Sequence, residues 1–480
     1  MTAALTNASG LASTVLGVNA GRSFWTLDRV ASALDLRSPR GATELRSVTT
    51  DTRTIEPGAL FVALRGERYD AHDFLTEAVA KGAGALVVSD VARAARLGVP
   101  VFEVTDTLTA LGRLGRYRRR AWNGPVIVVA GSNGKTSTKE LLRAALGSAL
   151  HVHATSGNLN NQIGVPLTLL AIPDDADVAV VEVGTNCPGE IALLRAIAEP
   201  NVAVLTSIGE EHLEGFGDLA GVLREEATVF AAVPLAVTPA SQPEVAVVAR
   251  SLAHRVIDAG LDAGDVRAEQ WAIDAEGRGT LTLDGVAVAV PLRGAHNLRN
   301  AMLALVTARE CGVSVEAAGA AIARMPVPAM RSAWETLGRA TVLNDAYNAN
   351  PASARAALDL LDGLGAARQR VVVLGSMREL GAAAPAMHSD VARYALATGA
   401  NVVAGVGDFA PVLDALASGD PRVVTAPDVD ELWPLLAPKL DRDAVVLLKA
   451  SRGMRLERLV PYLQAWALAD RAPPGGDLSS

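Results

Sequence analysis

Residues 125–138 read PVIVVAGSNGKTST. The run Val126, Ile127, Val128, Val129 predicts a buried strand that ends at Gly131. Ser132, Asn133, Gly134, Lys135 and Thr136 follow, and then Leu141, Leu142, Ala145 and Leu146 recur at helical spacing. Strand, glycine loop, Lys-Thr and helix is the order of a phosphate cradle. Gly131 and Gly134 let the backbone curl so that N–H groups point inward at a polyphosphate. The helix N-terminus adds partial positive charge. Lys135 can reach terminal phosphates, and Thr136 can place its hydroxyl on a magnesium ion. Val129 stands where the standard loop has its first glycine, five residues before Gly134. The plainer reading, a tight turn into an ordinary helix, carries less weight. Gly-Lys-Thr between a strand and a helix is a specific context.

Outside this loop the composition favours layered α/β structure. Half of the 480 residues are apolar and only 4% are aromatic. That length accommodates about three domains of ordinary size. A net charge of −8 gives no global pull towards nucleic acid or anionic membrane. Two cysteines, Cys187 and Cys311, argue against a disulfide framework and for a reducing, cytoplasmic setting. The segment before Arg22 carries no charge and no basic start, so it reads as a disordered extension rather than a signal peptide. The most apolar stretch, 227–243, is interrupted by Pro234 and Pro239 and does not suit a membrane span. Arg113, Arg116, Arg118, Arg119 and Arg120 cluster just before the loop. A solvated helix face explains them better than a nucleic-acid patch, because no second basic or aromatic cluster supports the latter.

The organisation expected is an extension over 1–21, a small α/β domain over 22–112, a central domain over 113–325, a last domain over 326–470, and a flexible tail over 471–480. In the first domain, 59–64 and 83–88 read as strands around a helix over 74–82. In the central domain, 178–182 and 202–208 are parallel-sheet strands with polar groups at their C-terminal ends, where such sheets bind ligands. A hairpin over 280–292 turns on Asp284-Gly285. Pro326-Val327-Pro328 is a linker. Beyond it, strands at 341–343, 371–374, 402–406 and 445–448 alternate with helices, the pattern of a doubly wound, Rossmann-like domain.

Four groups are placed to carry chemistry. Glu182 ends a strand, and with Thr136 it suits a hard oxygen-liganded cation. His212 lies in GEEHLE at 209–214, where a plain surface histidine is an equal alternative. Asn297 and Asn300 share a helix face and can read adenine or simply cap the helix. Arg331 and Asp345, past the linker, can close on phosphate and ribose, although each alone reads as a surface charge.

Together, GSNGKT at 131–136, Glu182-Val183-Gly184, GEEHLE, GAHNLRN at 294–300, Arg331 and DAYNANP at 345–351 stand in an order that resembles the Mur ligases. These are ATP-dependent amide-forming enzymes of peptidoglycan precursor synthesis. The resemblance runs from about Thr26 to Leu459. Further segments are GNLNNQIGVPLTLL at 157–170, MRELG at 377–381 with His388, KASRGMRL at 449–456, and Asp51-Thr52-Arg53 followed by PGALFVAL. They resemble the branch that joins D-alanyl-D-alanine to a UDP-N-acetylmuramoyl-tripeptide. The Asp-Asn-Pro-Arg signature of the branch that adds the third residue is absent.

The resemblance implies three domains: a small α/β N-terminal domain for the UDP substrate, a central P-loop parallel-sheet ATPase, and a C-terminal doubly wound domain for the dipeptide. It implies ATP and Mg2+ as cofactors, and a cytoplasmic monomer without nucleic acid or membrane partners. Lys135, Glu182, His212 and Arg331 would be catalytic. Gly131, Ser132, Asn133, Gly134, Lys135, Thr136, Ser137, Asn297, Asn300, Arg331 and Asp345 would hold ATP. Thr136, Glu182, His212 and Glu226 would serve magnesium. Asp51, Arg53, His72, Asn158, Asn160, Gln162 and Thr185 would take the UDP substrate, and Asn348 and Asn350 the dipeptide. The chain departs from the family pattern at Ala71 for glycine, Cys187 for histidine and Ser376 for aspartate. Glu226 stands in place of a lysine usually carbamylated by CO2. Another Mur or folylpolyglutamate-type ligase, or a nucleotide-binding regulator without ligase activity, remains an open alternative.

Overall fold

The computed structural model describes residues 23–39, 44–66, 69–365 and 368–469. The extension and tail expected at 1–21 and 471–480 lie outside the described residues. The architecture is α/β with mostly parallel sheets. It divides into two compact units. The first runs up to Val129 and adds 150–185 and 189–203; the second comprises 130–149, 186–188 and the chain from Val204 on.

In the first unit, strands Ser47–Thr49, Ala59–Val62, Ala83–Val88 and Val101–Glu103 pair in parallel in chain order. One face packs Leu60, Val62, Ala85 and Val87 against Val30 and Leu34 of helix Leu27–Leu34 and Leu111 and Leu114 of helix Thr107–Trp122. The other buries Phe61, Leu86 and Val88 on Leu75 and Ala78. Residues on both faces are apolar, as a covered parallel sheet requires. The helix predicted from Phe74 begins at Leu75, because Ala71–Phe74 winds as a 3-10 turn capped by Asp70.

The arginine cluster corrects the sequence reading in part, since Arg113, Arg116 and Arg120 are exposed as expected. Arg118 and Arg119 are buried rather than solvated. Arg118 donates to Ile172 O at 2.5 Å and to Asp174 at 2.6 Å. Arg119 donates to the carbonyls of Ala198 and Glu199, both at 2.9 Å, and to Asn201 Oδ1 at 3.0 Å. It thereby satisfies the open C-terminal carbonyls of helix Glu190–Ala198. Arg116 and Arg120 both pair with Glu199. The positive charges of this helix are spent on structure.

One sheet has seven strands. Val152–Ala154, Val178–Glu182 and Val126–Ala130 pair in parallel. The sheet order then continues through Val202–Leu205, Leu235–Pro239, Val256–Gly260 and Val266–Arg267. The apolar stretch 227–243 thus becomes a 3-10 turn, Ala227–Phe230, and a sheet strand. Among the described residues no helix is long and apolar enough to cross a membrane. In the second unit Gln270–Ile273, Arg278–Leu283 and Val286–Arg293 form an antiparallel sheet. Its turn holds Asp284 at φ 50° and Gly285 at φ 74°, as a two-residue hairpin loop requires.

The last six-stranded sheet has the order Ala333–Leu337, Ala340–Asp345, Val445–Lys449, Arg370–Leu374, Val402–Val406, Val423–Ala426. Only the first pair is antiparallel. Leu343, Val372 and Leu447 face one helical layer with Leu358 and Leu361, while Val342, Val373 and Leu448 face the other with Leu432 and Leu436. This is the doubly wound domain expected. The register puts Asp345 opposite Lys449 at the C-terminal ends of neighbouring strands. Lys449 Nζ, buried, donates to Asp345 Oδ2 at 2.6 Å and to Asn348 O at 2.8 Å.

Two expected outcomes follow from these buried cations. Arg119→Met should cost about 3 kcal/mol, because three acceptors lose their donor inside the protein. Arg120→Met, at an exposed pair, should cost under about 1 kcal/mol in the same urea titration. Lys449→Met should cost about 3–5 kcal/mol, the usual penalty of stranding one buried partner of an ion pair. Adding Asp345→Asn should restore part of that loss. Hydrogen exchange of the 445–449 peptide would read both, and an unprotected peptide in the double variant would contradict the pairing argument.

Candidate active site

The phosphate loop has the local geometry read from its glycines. Gly131 sits at φ 118° and Gly134 at φ 85°, both in the left-handed region. A Cβ on Gly131 would lie 2.5 Å from Thr206 Oγ1, and one on Gly134 would lie 2.7 Å from Asn300 Oδ1. Neighbouring loops clamp the curl. Asn133 N–H donates to Ser207 Oγ at 3.2 Å, and Gly209 N–H donates to Ser132 Oγ at 2.9 Å. Helix Lys135–Leu146 starts without a side-chain cap. Its first turn, with Thr136 half-buried and Ser137 buried, can therefore accept an anion. Lys135 Nζ folds back onto the Gly131 carbonyl, lies 3.3 Å from Ser132 O, and stands 3.9 Å from Glu211 Oε1.

Glu226 is not an exposed charge of its helix. It ends helix Leu219–Glu226 fully buried. Its Oε2 accepts the Gly131 N–H at 2.9 Å, and its Oε1 has no hydrogen-bond partner. Burial pushes this carboxyl up to about 7; Lys135 opposes the shift and Glu211 adds to it. Glu211 is buried too, and burial likewise raises its carboxyl against the pull of Lys135. Two enclosed carboxylates thus face one lysine beneath the loop. An unpartnered carboxylate oxygen is the donor type a magnesium ion takes. Among the described residues no three His, Cys, Asp or Glu side chains form an all-protein metal cage. An ion held largely by nucleotide phosphates and a few protein oxygens needs none.

His212 is half-buried, with φ 49°. Its Nδ1 lies 2.7 Å from Glu379 Oε2 and its Nε2 3.9 Å from Glu211 Oε2. Burial would lower its pKa, but the Glu379 hydrogen bond and the charges of Glu211 and Glu379 raise it above the ordinary histidine value.

The loop after Asp345 meets the phosphate loop. Asn350 caps helix Pro351–Gly363 through a reciprocal pair with Ser353, and its Nδ2 donates to Asn133 Oδ1 at 3.0 Å. Asn350 therefore touches the nucleotide loop, while Asn348 is exposed with its side chain on the Ala349 N–H. Arg331 stacks over Tyr347 at 4.2 Å. Asp345 is held by Lys449 and by the Ser332 N–H at 2.8 Å. Asn297 donates to Arg293 O at 2.8 Å, and Asn300 donates to Asn297 at 3.2 Å. Burial holds His296 down to about 4, so its neutral ring can accept from Asn297 at 3.0 Å. These two asparagines are buried and brace the base of the loop.

In the first unit, Glu182 ends its strand buried, with the Asn160 amide on its Oε1 at 2.9 Å. Gln162 and Thr185 both donate to Glu190, at 3.0 and 3.2 Å. Asn158 is exposed. Asp51 and Arg53 pair with each other at 2.6 Å, and the Arg53 hydrogen bond pulls Asp51 down to about 2. His72 is buried between Asp70, at 2.6 Å, and the Ser89 N–H, at 3.0 Å, so both ring nitrogens are engaged. Cys187 is exposed. Ser376 accepts the Asp408 N–H at 2.8 Å. Glu211, Glu379 and Lys449 stand inside segments quoted from the sequence, yet nothing in their spacing revealed their partners. Glu190 carried no signal at all.

Comparison with known proteins accords with this geometry. Residues 44–119 match the profile described as Mur ligase family, catalytic domain; 129–308 match the Mur ligase middle domain; 331–452 match the Mur ligase, glutamate ligase domain. The UDP-N-acetylmuramoyl-tripeptide–D-alanyl-D-alanine ligase of Escherichia coli K12 is 34% identical over 452 residues, 92% of this chain and 98% of that protein. A crystal structure of MurF from Acinetobacter baumannii superposes with a TM-score of 0.83 at 30% identity, over 92% of this chain and 99% of that one. MurF from Thermotoga maritima in complex with ADP gives a TM-score of 0.78 at 25% identity, over 89% and 98%. A relative this similar along nearly its whole length, together with all three domain profiles in order, shows that the chain belongs to the Mur ligase family.

Proposed function

We propose that this chain joins D-alanyl-D-alanine to UDP-N-acetylmuramoyl-tripeptide at the expense of ATP, as a cytoplasmic monomer. The observation that carries the reading is the phosphate loop gripped by the DAYNANP loop through Asn350 and Asn133. A carboxylate is a poor electrophile, so the substrate carboxylate first takes the γ-phosphoryl group and ADP leaves. The dipeptide amine then attacks the acyl phosphate, loses a proton, and expels phosphate from a tetrahedral intermediate.

The residues divide this work physically. The curled backbone at Gly131 and Gly134 and the uncapped turn at Lys135–Thr136–Ser137 bind the phosphates. Lys135 exchanges its carbonyl partners for phosphate oxygens and neutralises charge as phosphoryl transfers. Thr136, Glu182 and His212 would serve Mg2+, and Glu226 would serve it through its free oxygen or a water. The ion supplies charge stabilisation to both displacements. Arg331 reaches the nucleotide from the last domain, and Asn348 lies open to the dipeptide. Asp345 acts on the nucleotide by holding this loop on Lys449. Asp51, Arg53, Asn158, Asn160, Gln162 and Thr185 serve the UDP substrate, with His72 shaping the turn beneath it. Glu226 supplies its own carboxyl group in place of a carbamylated lysine, and Lys135 favours its charged form against the effect of burial.

Phosphate release should require ATP, UDP-N-acetylmuramoyl-tripeptide and D-alanyl-D-alanine together, and single amino acids should not replace the dipeptide. Lys135→Ala should leave the far-ultraviolet spectrum intact and lower turnover by at least about 10^3-fold. Wild-type turnover at saturating ATP would refute the loop assignment. Turnover in CO2-depleted buffer should not respond to added bicarbonate, and Glu226→Gln should lower it by about 10-fold or more. A fully active glutamine variant would remove Glu226 from the machinery.

A further inference from the structure

We infer that Glu379 is a positioning residue for His212: its carboxylate takes the Nδ1 side of the ring and leaves Nε2 directed at the Glu211–Lys135 side of the site. The inference rests on the proposed role of His212 at the phosphate-transfer site. It assigns a function to a residue of the MRELG segment that the reaction scheme above leaves idle.

The geometry is specific. Nδ1 stands 2.7 Å from Glu379 Oε2, whereas Nε2 lies 3.9 Å from Glu211 Oε2, beyond a direct hydrogen bond. One ring nitrogen is taken and the other is left for a ligand. A histidine that serves a metal commonly donates its second N–H to a carboxylate, which fixes the ring and its tautomer. Phe216 meets the ring edge-on, with centroids 6.4 Å apart, and limits its rotation.

Glu379 is itself presented by a braced loop. Met377 N–H donates to His388 Nε2 at 2.9 Å, and His388 Nδ1 donates to Ala384 O at 2.7 Å. Arg378 N–H donates to Ser451 Oγ at 2.9 Å, and Ser376 holds the Asp408 N–H. None of these bonds uses the Glu379 side chain, 57% of which is exposed. Glu379 and His212 both adopt positive φ, at 66° and 49°. Non-glycine residues seldom hold that conformation without support from their surroundings. Gly381 passes close to Glu214, where an added Cβ would stand 3.3 Å from the Glu214 Cα. The two loops therefore meet beside the pair. Through it, a loop of the last domain sets the ring of a residue in the central one. The anchors of the loop do not involve Glu379, so removing this carboxylate should not unfold it.

The test uses the full chain with ADP and Mn2+ as the probe, followed by electron paramagnetic resonance, alongside steady-state turnover. Glu379→Ala should weaken Mn2+ binding in the ADP complex by about 10-fold and lower kcat similarly, with KM for the UDP substrate unchanged. Glu379→Gln, which keeps an oxygen to accept the Nδ1 proton, should recover most of both. Wild-type Mn2+ affinity in Glu379→Ala, set against a loss in His212→Ala, would overturn the positioning role while sparing the role of His212. Wild-type behaviour of His212→Ala itself would overturn both. A Glu379→Gln variant no better than Glu379→Ala would overturn the hydrogen-bond mechanism.

Discussion

Glu226 places a carboxylate without solvent access directly against the amide of Gly131, and much of the site is arranged around that contact. Its oxygen takes the Gly131 N–H, while the Ser132 and Asn133 N–H groups donate to the carbonyl and hydroxyl of Ser207. The burial is costly for a charge, and Lys135 is the nearby cation that offsets it. Lys135 cannot leave for a phosphate without exposing the two acids to one another. Thr206 and Asn300 fill the space that side chains at 131 and 134 would need, which makes the curl a property of the surrounding packing as well as of glycine.

The last domain contributes through two separate holds. Asn350 grips Asn133 at the tip of the phosphate loop, and Glu379 grips His212 on the loop that follows the next sheet strand. Both holds are polar and small, and each engages a side chain rather than burying apolar surface. Contacts of this kind can form and release without a large energetic penalty. That suits a reaction in which ATP must enter and ADP must leave. The heavier interactions, Lys449 on Asp345 and Arg119 on the end of helix Glu190–Ala198, lie within sheets and helical layers. They tie strand ends and helix ends together inside each domain.

Much was legible in the chain because it depends on neighbours in sequence. Strand Val126–Ala130, the glycine curl, helix Lys135–Leu146, the Asp284-Gly285 hairpin and the doubly wound last sheet follow from periodicity, turn chemistry and covered-strand composition. The order of short motifs identified the family. Glu226 was picked out only by comparison with a family pattern, and its surroundings remained ambiguous. Among the arginines before the loop, Arg118 and Arg119 were misread for the same reason, while Arg113, Arg116 and Arg120 are exposed as expected: a helical stretch shows which residues share a face, but not what that face meets.

By itself, then, the sequence determined the local backbone and the chemical types available at each strand end, since both depend on residues a few positions apart. Tertiary structure alone decided which carboxylate lost its water, which lysine faced it, and which loop supplied Glu379 to His212. Those pairings join residues 95, 76 and 167 positions apart, through sheet register and domain docking. Charge burial is a property of the assembled surroundings, and no local pattern encodes it.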